Sequence, residues 1–440
     1  MLDPGPGVIV QRRSQRRREP RRCGAGYIRG DGGRGTDAAA RSRGERGHDH
    51  QRGETTSVHR TWAWGVGVTL LAACASSGPP REDAGRGGPE KVRASMTVLV
   101  EDSLRLLAGR GVLWITEQPG ARGGLPSPAE LREDGRVRRM NVHLLAVISP
   151  DSALSDAAWR GVNGAVIDIN DGGFAARSSL GKLHRMVAKA ASHKATVVVL
   201  DHPPSLGGES YDGPMWRPVA GSDIAIPVRY GLSVGEALRL FASTLPAGAD
   251  LHVVPARGVR RDRFWGGESK LPWTSPVEEV RSVDDLLLAA SLLPLEGTTL
   301  SLGRGTAYPF TLIGAPWLNA KRVLDELADR PLPGVRFEAE RFTPRGPSDG
   351  KYDGMSIPGI RIEVLDRERV QTGRLALNLA WAVWKVHGDS LKLAGAAGAP
   401  GLGEALALVA RGADPDSLVD ASLTALVAFQ KKARTLQLYR

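Results

Sequence analysis

At 440 residues the chain is too long for one ordinary core, so we expect two domains in its folded part. Apolar residues make up 41% and charged residues 24% of the chain, close to the averages of globular proteins. The net charge of +11 would favour a nucleic-acid or membrane-surface partner if it were spread along the chain, and its distribution excludes that interpretation for most of the sequence.

The positive charge is concentrated at the N-terminus. Residues 1–60 contain 14 Arg, no Lys and 7 Asp or Glu, so the rest of the chain is nearly neutral. Because this segment has almost no large apolar residues, we expect residues 1–57 to be a disordered Arg/Gly-rich extension. We expect this extension to be a solvated tail or the product of a misplaced start codon. An Arg-rich RNA-binding tail is the alternative. The near-neutral folded part argues against nucleic acid as a partner.

Residues 58–74 have the layout of a secretory signal, with Val58-His59-Arg60 followed by the apolar run TWAWGVGVTLLAAC. The ending Leu71-Ala72-Ala73-Cys74 resembles a bacterial lipobox, in which the Cys is lipidated, and residues 75–95 form a Pro/Gly/charged tether. We therefore predict secretion across the inner membrane and a periplasmic or outer-membrane lipoprotein that contacts the membrane only through its lipid. The alternative is a short buried strand or helix that ends in an ordinary Cys.

From residue 96 onward, short β-branched runs alternate with longer amphipathic runs, which predicts an α/β fold with a parallel sheet and right-handed crossovers. In the first module, residues 96–295, we predict strands at 112–116, 143–149, 164–169, 196–201 and 251–255, and helices at 179–193, 231–243 and 282–293. Asp168 and Asp171 fall at the end of the third predicted strand of this module, and Asp201 at the end of the fourth. Open parallel sheets bind ligands at the carboxyl ends of their strands, whereas the alternative is that each Asp only caps the next helix.

The second module, residues 296–440, is expected to be a smaller α/β domain. Its predicted elements are a helix at 320–329, strands at 335–342 and 359–365, and helices at 373–386 and 416–436. No phosphate-binding loop, His-Glu-x-x-His or Gly-x-Ser-x-Gly motif occurs in the chain. The nine His residues lack metal-ligand spacing and the two Cys residues precede the folded part, so we expect no metal site, no cofactor and no disulfide.

Several motifs follow one another in order between residues 96 and 440. They include VIDINDGG, VVVLDHPPS, IPVRYGLSVGEAL, EGTTLSLGRGTAYPF, IGAPW and GIRIEVLDRE. Together they resemble the family long known as domain of unknown function 1343, which includes the exo-β-N-acetylmuramidases of glycoside hydrolase family 171. The resemblance implies a Rossmann-like N-terminal domain, a smaller C-terminal α/β domain and a cleft between them. It also implies removal of N-acetylmuramic acid from the non-reducing end of peptidoglycan fragments, the expected partners of this protein.

The resemblance also implies which residues act. Asp151 stands in the position of the catalytic acid, with Asp168 or Asp171 helping water or stabilising an oxocarbenium-like transition state. Arg229 and Arg304 are expected to hold the lactyl carboxylate of muramic acid, because Arg presents a planar fork that matches a carboxylate. The other expected substrate-binding residues are Asp201, Tyr230, Glu296 and Thr306.

Five departures from the family pattern surround this expected site. The usual Gly-Pro-Glu-His is Ser149-Pro150-Asp151-Ser152 here, and a misplacement of about 1 Å can cost on the order of 100-fold in rate. The others are Tyr230 for a His, Pro204 for an Asn, Leu302 for a Glu, and an aromatic, Arg-containing run replaced by residues 174–178. The alternative function is therefore a weakened or inactive relative that binds cell-wall glycan as a lipoprotein.

Overall fold

The computed structural model describes residues 91–120, 124–265 and 269–440. The predicted extension, the secretory signal, Cys74 and all but the end of the tether lie outside the described residues. The strands are β1 (Gly111–Thr116), β2 (His143–Ile148), β3 (Gly164–Asp168), β4 (Thr196–Asp201), β5 (Asp212–Trp216), β6 (Ile226–Arg229), β7 (Leu251–Pro255), β8 (Leu312–Gly314), β9 (Val335–Phe342) and β10 (Ile357–Val364). The α-helices are α1 (Ser95–Val98), α2 (Gly135–Arg139), α3 (Leu180–Ser192), α4 (Val234–Leu240), α5 (Val283–Leu292), α6 (Ala320–Leu327), α7 (Thr372–His387), α8 (Gly403–Val409), α9 (Pro415–Asp420) and α10 (Leu423–Arg434).

The central sheet consists of five parallel strands in the order β2-β1-β3-β4-β7. The predicted α/β fold with a parallel sheet is confirmed, and each predicted strand of this sheet ends within one residue of the observed one. From β1 the chain moves outward to β2 and then returns to place β3 on the other side of β1. This change of direction makes the carboxyl ends of β1 and β3 the switch point, where open α/β sheets bind ligands.

Apolar side chains cover both faces of the central strands β3 and β4, which explains why these two strands are continuous apolar runs rich in Val and Ile. On β3 and β4, Ile167 and Val199 pack on one face against α3 and α4, and Val166 and Val198 pack on the other. The C-terminal region contains a smaller antiparallel sheet in the order β8-β10-β9, packed against α5, α6 and α7. Within the described ranges, no helix combines the length and apolar character needed to cross a membrane.

The predicted helix at 416–436 is wrong as a single element, because the structure breaks it at Ala421–Ser422 into α9 and α10. Val419 of α9 packs in the core of the C-terminal region, whereas Phe429 and Ala433 of α10 pack against the central-sheet core. A straight helix cannot direct one apolar stripe into two separate cores. The sequence prediction also missed the hairpin of β5 and β6, whose Gly and Pro residues weaken any strand pattern.

Candidate active site

Polar residues follow β3 and β4 at the carboxyl edge of the central sheet, beside the switch point. Successive side chains of a strand point to opposite faces, and Ile167 of β3 lies beside Val199 of β4. Asp168 and His202 therefore belong to one face, and Asp201 belongs to the other. The edge is divided into two groups of polar side chains, one for each face of the sheet.

On the first face, Asp168 and His202 form a hydrogen-bonded dyad. His202 Nε2 lies 2.8 Å from Asp168 Oδ1, and the Asp168 side chain is almost fully buried. The His202 ring also lies against Trp265, with ring centroids 5.7 Å apart. A carboxylate opposite Nε2 favours the tautomer that carries its proton there, so Nδ1 of a neutral His202 is a hydrogen-bond acceptor.

On the second face, Asp171 and Tyr230 are joined by a hydrogen bond. Tyr230 donates its hydroxyl to Asp171 Oδ2 at 2.6 Å, and the Gly173 amide donates to Asp171 Oδ1 at 3.2 Å. Burial raises the pKa of Asp171 to about 6, although the hydrogen bond from Tyr230 acts in the opposite direction. Burial and the charge of Asp171 raise the pKa of Tyr230 well above its usual value. The pair thus holds a carboxyl group that exchanges its proton near neutral pH.

Asp201 is fully buried and contacts the C-terminal segment. Its carboxyl group accepts hydrogen bonds from the Gly235 amide at 2.6 Å and from the Tyr439 hydroxyl at 2.9 Å. Burial, and secondly the charge of Glu236, raise the pKa of Asp201 to about 7. Nothing in these contacts joins Asp201 to the dyad or to Asp171, so the prediction that it binds substrate stays a prediction.

The raised pKa of Asp201 predicts a pH-dependent stability. The folded state binds a proton more tightly than the unfolded chain, so the contribution is complete below about pH 4 and is lost as pH rises through about 7. Compared with Asp201→Asn, the wild type should lose roughly 4 kcal/mol more in free energy of unfolding between about pH 4 and pH 8. Urea denaturation of both proteins across this range measures the difference, and parallel pH profiles would contradict the assignment.

Asp151 lies apart from both groups. It follows β2, the edge strand of the sheet, and its side chain is 77% exposed and forms an ion pair with Lys182 of α3 at 2.9 Å. Among the described residues, no hydrogen bond or ion pair joins it to Asp168 or Asp171. The structure therefore presents the predicted acid to solvent, next to the strand ends rather than among the buried carboxyl groups.

The two Arg residues predicted to bind a carboxylate both have partners within the protein. Arg229 is buried and donates to the carbonyl oxygens of Val370 and Leu206, with Asp212 Oδ2 at 4.0 Å from Nη1. Its Nε atom has no hydrogen-bond partner among the described residues. Burial lowers the pKa of Arg229 from its ordinary value. The prediction of carboxylate binding stays a prediction for both residues.

Arg304 belongs to the Gly-Arg-Gly-Thr turn of the second module. Its guanidinium contacts Glu296 Oε1 at 2.7 Å and Glu279 Oε1 at 3.3 Å. Thr306 donates its hydroxyl to the Gly303 carbonyl at 2.6 Å, which closes the turn. Gly303 has a φ of 75°, and an added Cβ would lie 2.8 Å from the Tyr308 carbonyl oxygen, so only Gly fits there. The structure brings Glu296 and Arg304 together, and Thr306 acts within the turn.

Residues 274–276 lie across the carboxyl edge and are held there by side chains from the strand ends. The three hydrogen bonds are Asn170 Nδ2 to Thr274 O at 3.2 Å, Gln118 Nε2 to Ser275 O at 2.8 Å, and Arg177 Nε to Pro276 O at 2.7 Å. Because these donors come from the loops after β1 and β3, this segment forms a fixed wall at the switch point.

The sequence analysis missed three residues at this edge. Glu117 follows β1 and pairs with Arg177 at 3.0 Å, His202 completes the dyad, and Thr274 belongs to the wall. The position of both Asp168 and His202 at strand ends was visible in the sequence, whereas the register that places them on the same face was known only from the structure. No comparable signal existed for Thr274, which lies far along the chain in an irregular segment.

Comparison with known proteins gives consistent matches along the folded chain. Residues 116–284 match the N-terminal and residues 288–439 the C-terminal model of the exo-beta-N-acetylmuramidase NamZ. The chain is 24% identical over 359 residues to the peptidoglycan beta-N-acetylmuramidase NamZ of Bacillus subtilis (strain 168), which covers 74% of this chain and 84% of that relative.

Two solved structures of DUF1343 family proteins from Bacteroides fragilis NCTC 9343 share the fold. One has a TM-score of 0.65 at 20% identity and covers 79% of this chain and 99% of its own. The other has a TM-score of 0.59 at 18% identity, and the match covers 80% of this chain and 99% of that structure's chain. The resemblance found in the sequence motifs is therefore confirmed. This chain belongs to the NamZ family, whose fold is that of the DUF1343 proteins.

Proposed function

We propose that this protein is a glycoside hydrolase that releases N-acetylmuramic acid from the non-reducing end of peptidoglycan fragments. Its family membership and its similarity to a peptidoglycan beta-N-acetylmuramidase support the substrate class. The observation in this chain that carries the proposal is the buried carboxyl group of Asp171, whose pKa lies near 6 at the carboxyl edge of the sheet. A carboxyl group with a strongly raised pKa in such a position is typical of an active site.

In this proposal the carboxyl groups divide the work of glycoside hydrolysis. Asp151 is the general acid, because it stands in the position of the family's catalytic acid and its side chain is exposed after β2 at the carboxyl edge of the sheet. Asp171 or Asp168 helps water or stabilises the positive charge that develops on the sugar ring. Tyr230 positions Asp171 through their hydrogen bond, since the hydroxyl group has the carboxyl oxygen as its close acceptor.

The remaining predicted residues are proposed to bind the substrate. For Arg304 to hold the lactyl carboxylate, the guanidinium must exchange Glu279 or Glu296 for the substrate. Arg229 would offer its unpartnered Nε atom. Asp201, Tyr230, Glu296 and Thr306 complete the proposed set of substrate-binding residues. Each exchange replaces one charge-assisted contact by another, so the net gain in binding is smaller than that of a free Arg.

Hydrolysis assays test the proposed function directly. The purified protein should release the chromophore from an aryl β-N-acetylmuramide, but not from the matching aryl β-N-acetylglucosaminide. With peptidoglycan fragments, free N-acetylmuramic acid should be the first product, because an exo-acting enzyme removes terminal units. Early cleavage of internal bonds would reject the exo mode. No release, together with retained binding of fragments, would reject catalysis and favour the glycan-binding alternative.

We also propose that Cys74 carries a lipid and anchors the protein to a bacterial membrane. The support is the sequence Leu71-Ala72-Ala73-Cys74 after a short apolar run, followed by a Pro/Gly/charged tether. Cys74→Ala should abolish metabolic labelling with palmitate, whereas Cys23→Ala should leave it intact. Unchanged labelling in Cys74→Ala would remove the anchor from the proposal.

A further inference from the structure

The dyad of Asp168 and His202 lines a small cavity at the carboxyl edge of the sheet. Its other lining residues include Trp265, Leu271, Pro272 and Thr274. The cavity measures about 20 Å³, and roughly 10–15 Å³ is needed for a single water-sized group. It therefore has room for a small substituent of a sugar and not for the sugar ring itself.

The walls of the cavity are mainly apolar, and its polar groups occupy defined positions. Leu271 and Trp265 are buried and form part of one apolar cluster. Such a surface favours a methyl group over water, because water in an apolar cavity lacks hydrogen-bond partners. The polar exceptions are the dyad, Thr274 and Ser95, so a complementary ligand carries a methyl group next to polar atoms.

The polar atoms include one acceptor and one donor without partners. His202 gives Nε2 to Asp168, which leaves Nδ1 as an acceptor, and Nδ1 forms no hydrogen bond within the described part of the chain. Thr274 Oγ1 is buried and, among the same residues, also lacks a partner, although the Thr274 carbonyl is held by Asn170. An unpaired buried polar atom such as Thr274 Oγ1 is costly, and a ligand that pairs with it removes this cost.

We infer that this cavity is the subsite for the 2-acetamido group of the sugar. The amide N–H donates to His202 Nδ1, the carbonyl oxygen accepts from Thr274 Oγ1, and the methyl group fills the apolar space beside Leu271 and Trp265. The identity of the sugar rests on the proposed function, whereas the match to an acetamido group rests on this cavity. The subsite discriminates against a free amine, which has no methyl group, and against longer acyl groups, which exceed the space.

Leu271→Ala tests the size of the subsite. Isothermal titration with N-acetylmuramic acid, its 2-propionamido analogue and muramic acid measures selectivity without turnover. The wild type should bind the acetamido sugar about 10-fold or more tightly than the propionamido sugar, the usual range for one excess methylene. Leu271→Ala should remove or reverse this preference. Leu131→Ala is the matched control, since Leu131 is equally buried, at 6% exposure, and lines a separate apolar cavity of the same size.

Thr274→Val tests the proposed hydrogen bond from Thr274 Oγ1 to the acetamido carbonyl. Unlike Leu271→Ala, this substitution does not shorten a buried apolar side chain. Because Thr274 Oγ1 has no partner in the free protein, this variant should unfold at the same temperature as the wild type or higher. Its affinity for N-acetylmuramic acid should fall by about 10-fold. If Leu271→Ala fails to fold by circular dichroism, Thr274→Val decides the result.

Equal binding of the acetamido and propionamido sugars by the wild type, or absence of binding, would overturn the subsite. Unchanged affinity in Thr274→Val would do the same. Turnover of the aryl β-N-acetylmuramide is measured in parallel. Turnover without acyl selectivity overturns the subsite and leaves the proposed function, whereas selective binding without turnover overturns the hydrolase and leaves the subsite.

Discussion

Asp151→Asn should lower the turnover of an aryl β-N-acetylmuramide by about 100-fold or more, because a general acid contributes on the order of 100- to 10,000-fold. Asn has nearly the same shape and hydrogen-bonding reach as Asp, but it cannot deliver a proton to the leaving oxygen. The side chain is exposed and contacts Lys182 of α3, so the substitution should change the free energy of unfolding by less than about 1 kcal/mol. Steady-state kinetics and urea denaturation measure the two effects.

Asp156→Asn is a closely matched control for this experiment. Asp156 is 76% exposed, against 77% for Asp151, and it likewise forms an ion pair with a Lys of α3, at 2.6 Å from Lys189. Asp156 also lies 3.2 Å from His193 Nε2, so the loss of surface contacts should affect Asp156→Asn at least as much, and only Asp151→Asn should lose turnover. Equal turnover rates in the two variants would show that another group supplies the proton. Asp171 would then be the next residue to replace by Asn.

Glu236→Gln should reduce the free energy of unfolding by about 3–5 kcal/mol, because it leaves the Arg261 charge buried without its close, buried counter-ion. Both side chains are fully buried, and Arg261 Nη1 lies 2.6 and 2.8 Å from the two carboxylate oxygens of Glu236. Glu236 also accepts hydrogen bonds from the Ser233 amide at 3.0 Å and the Leu438 amide at 2.7 Å. One carboxylate thus joins α4, the loop after β7 and the C-terminal segment.

Glu209→Gln is the control for this prediction, since Glu209 also contacts Arg261. Its carboxylate lies 3.6 Å from Arg261 Nε and is 53% exposed. Exposed pairs typically contribute about 0–1 kcal/mol, so this variant should remain close to the wild type in stability. Urea denaturation of both variants at neutral pH gives the comparison. Similar losses in the two variants would mean that the buried carboxylate is not the essential counter-ion.

The strands and the first helices follow from local sequence, and the reason is physical. A strand buried on both faces needs a continuous β-branched run, as in TVVVLD of β4, so its position is visible without the fold. The capping box was equally visible, because Ser233 and Glu236 satisfy each other within a single turn. The break between α9 and α10 was not visible, since it depends on two cores that the chain forms far away in sequence.

The candidate site also has a part that the local sequence predicts and a part that depends on the tertiary structure. The local sequence placed Asp168, Asp171 and Asp201 at strand ends, because the alternation of side chains and the strand length are local properties. Only the tertiary structure paired Asp171 with Tyr230 and set Thr274 beside the dyad, since these partners come from distant segments. How deeply a side chain is buried is likewise a property of the whole fold. The fold buries Asp171, which raises its pKa, and leaves Asp151 exposed to solvent.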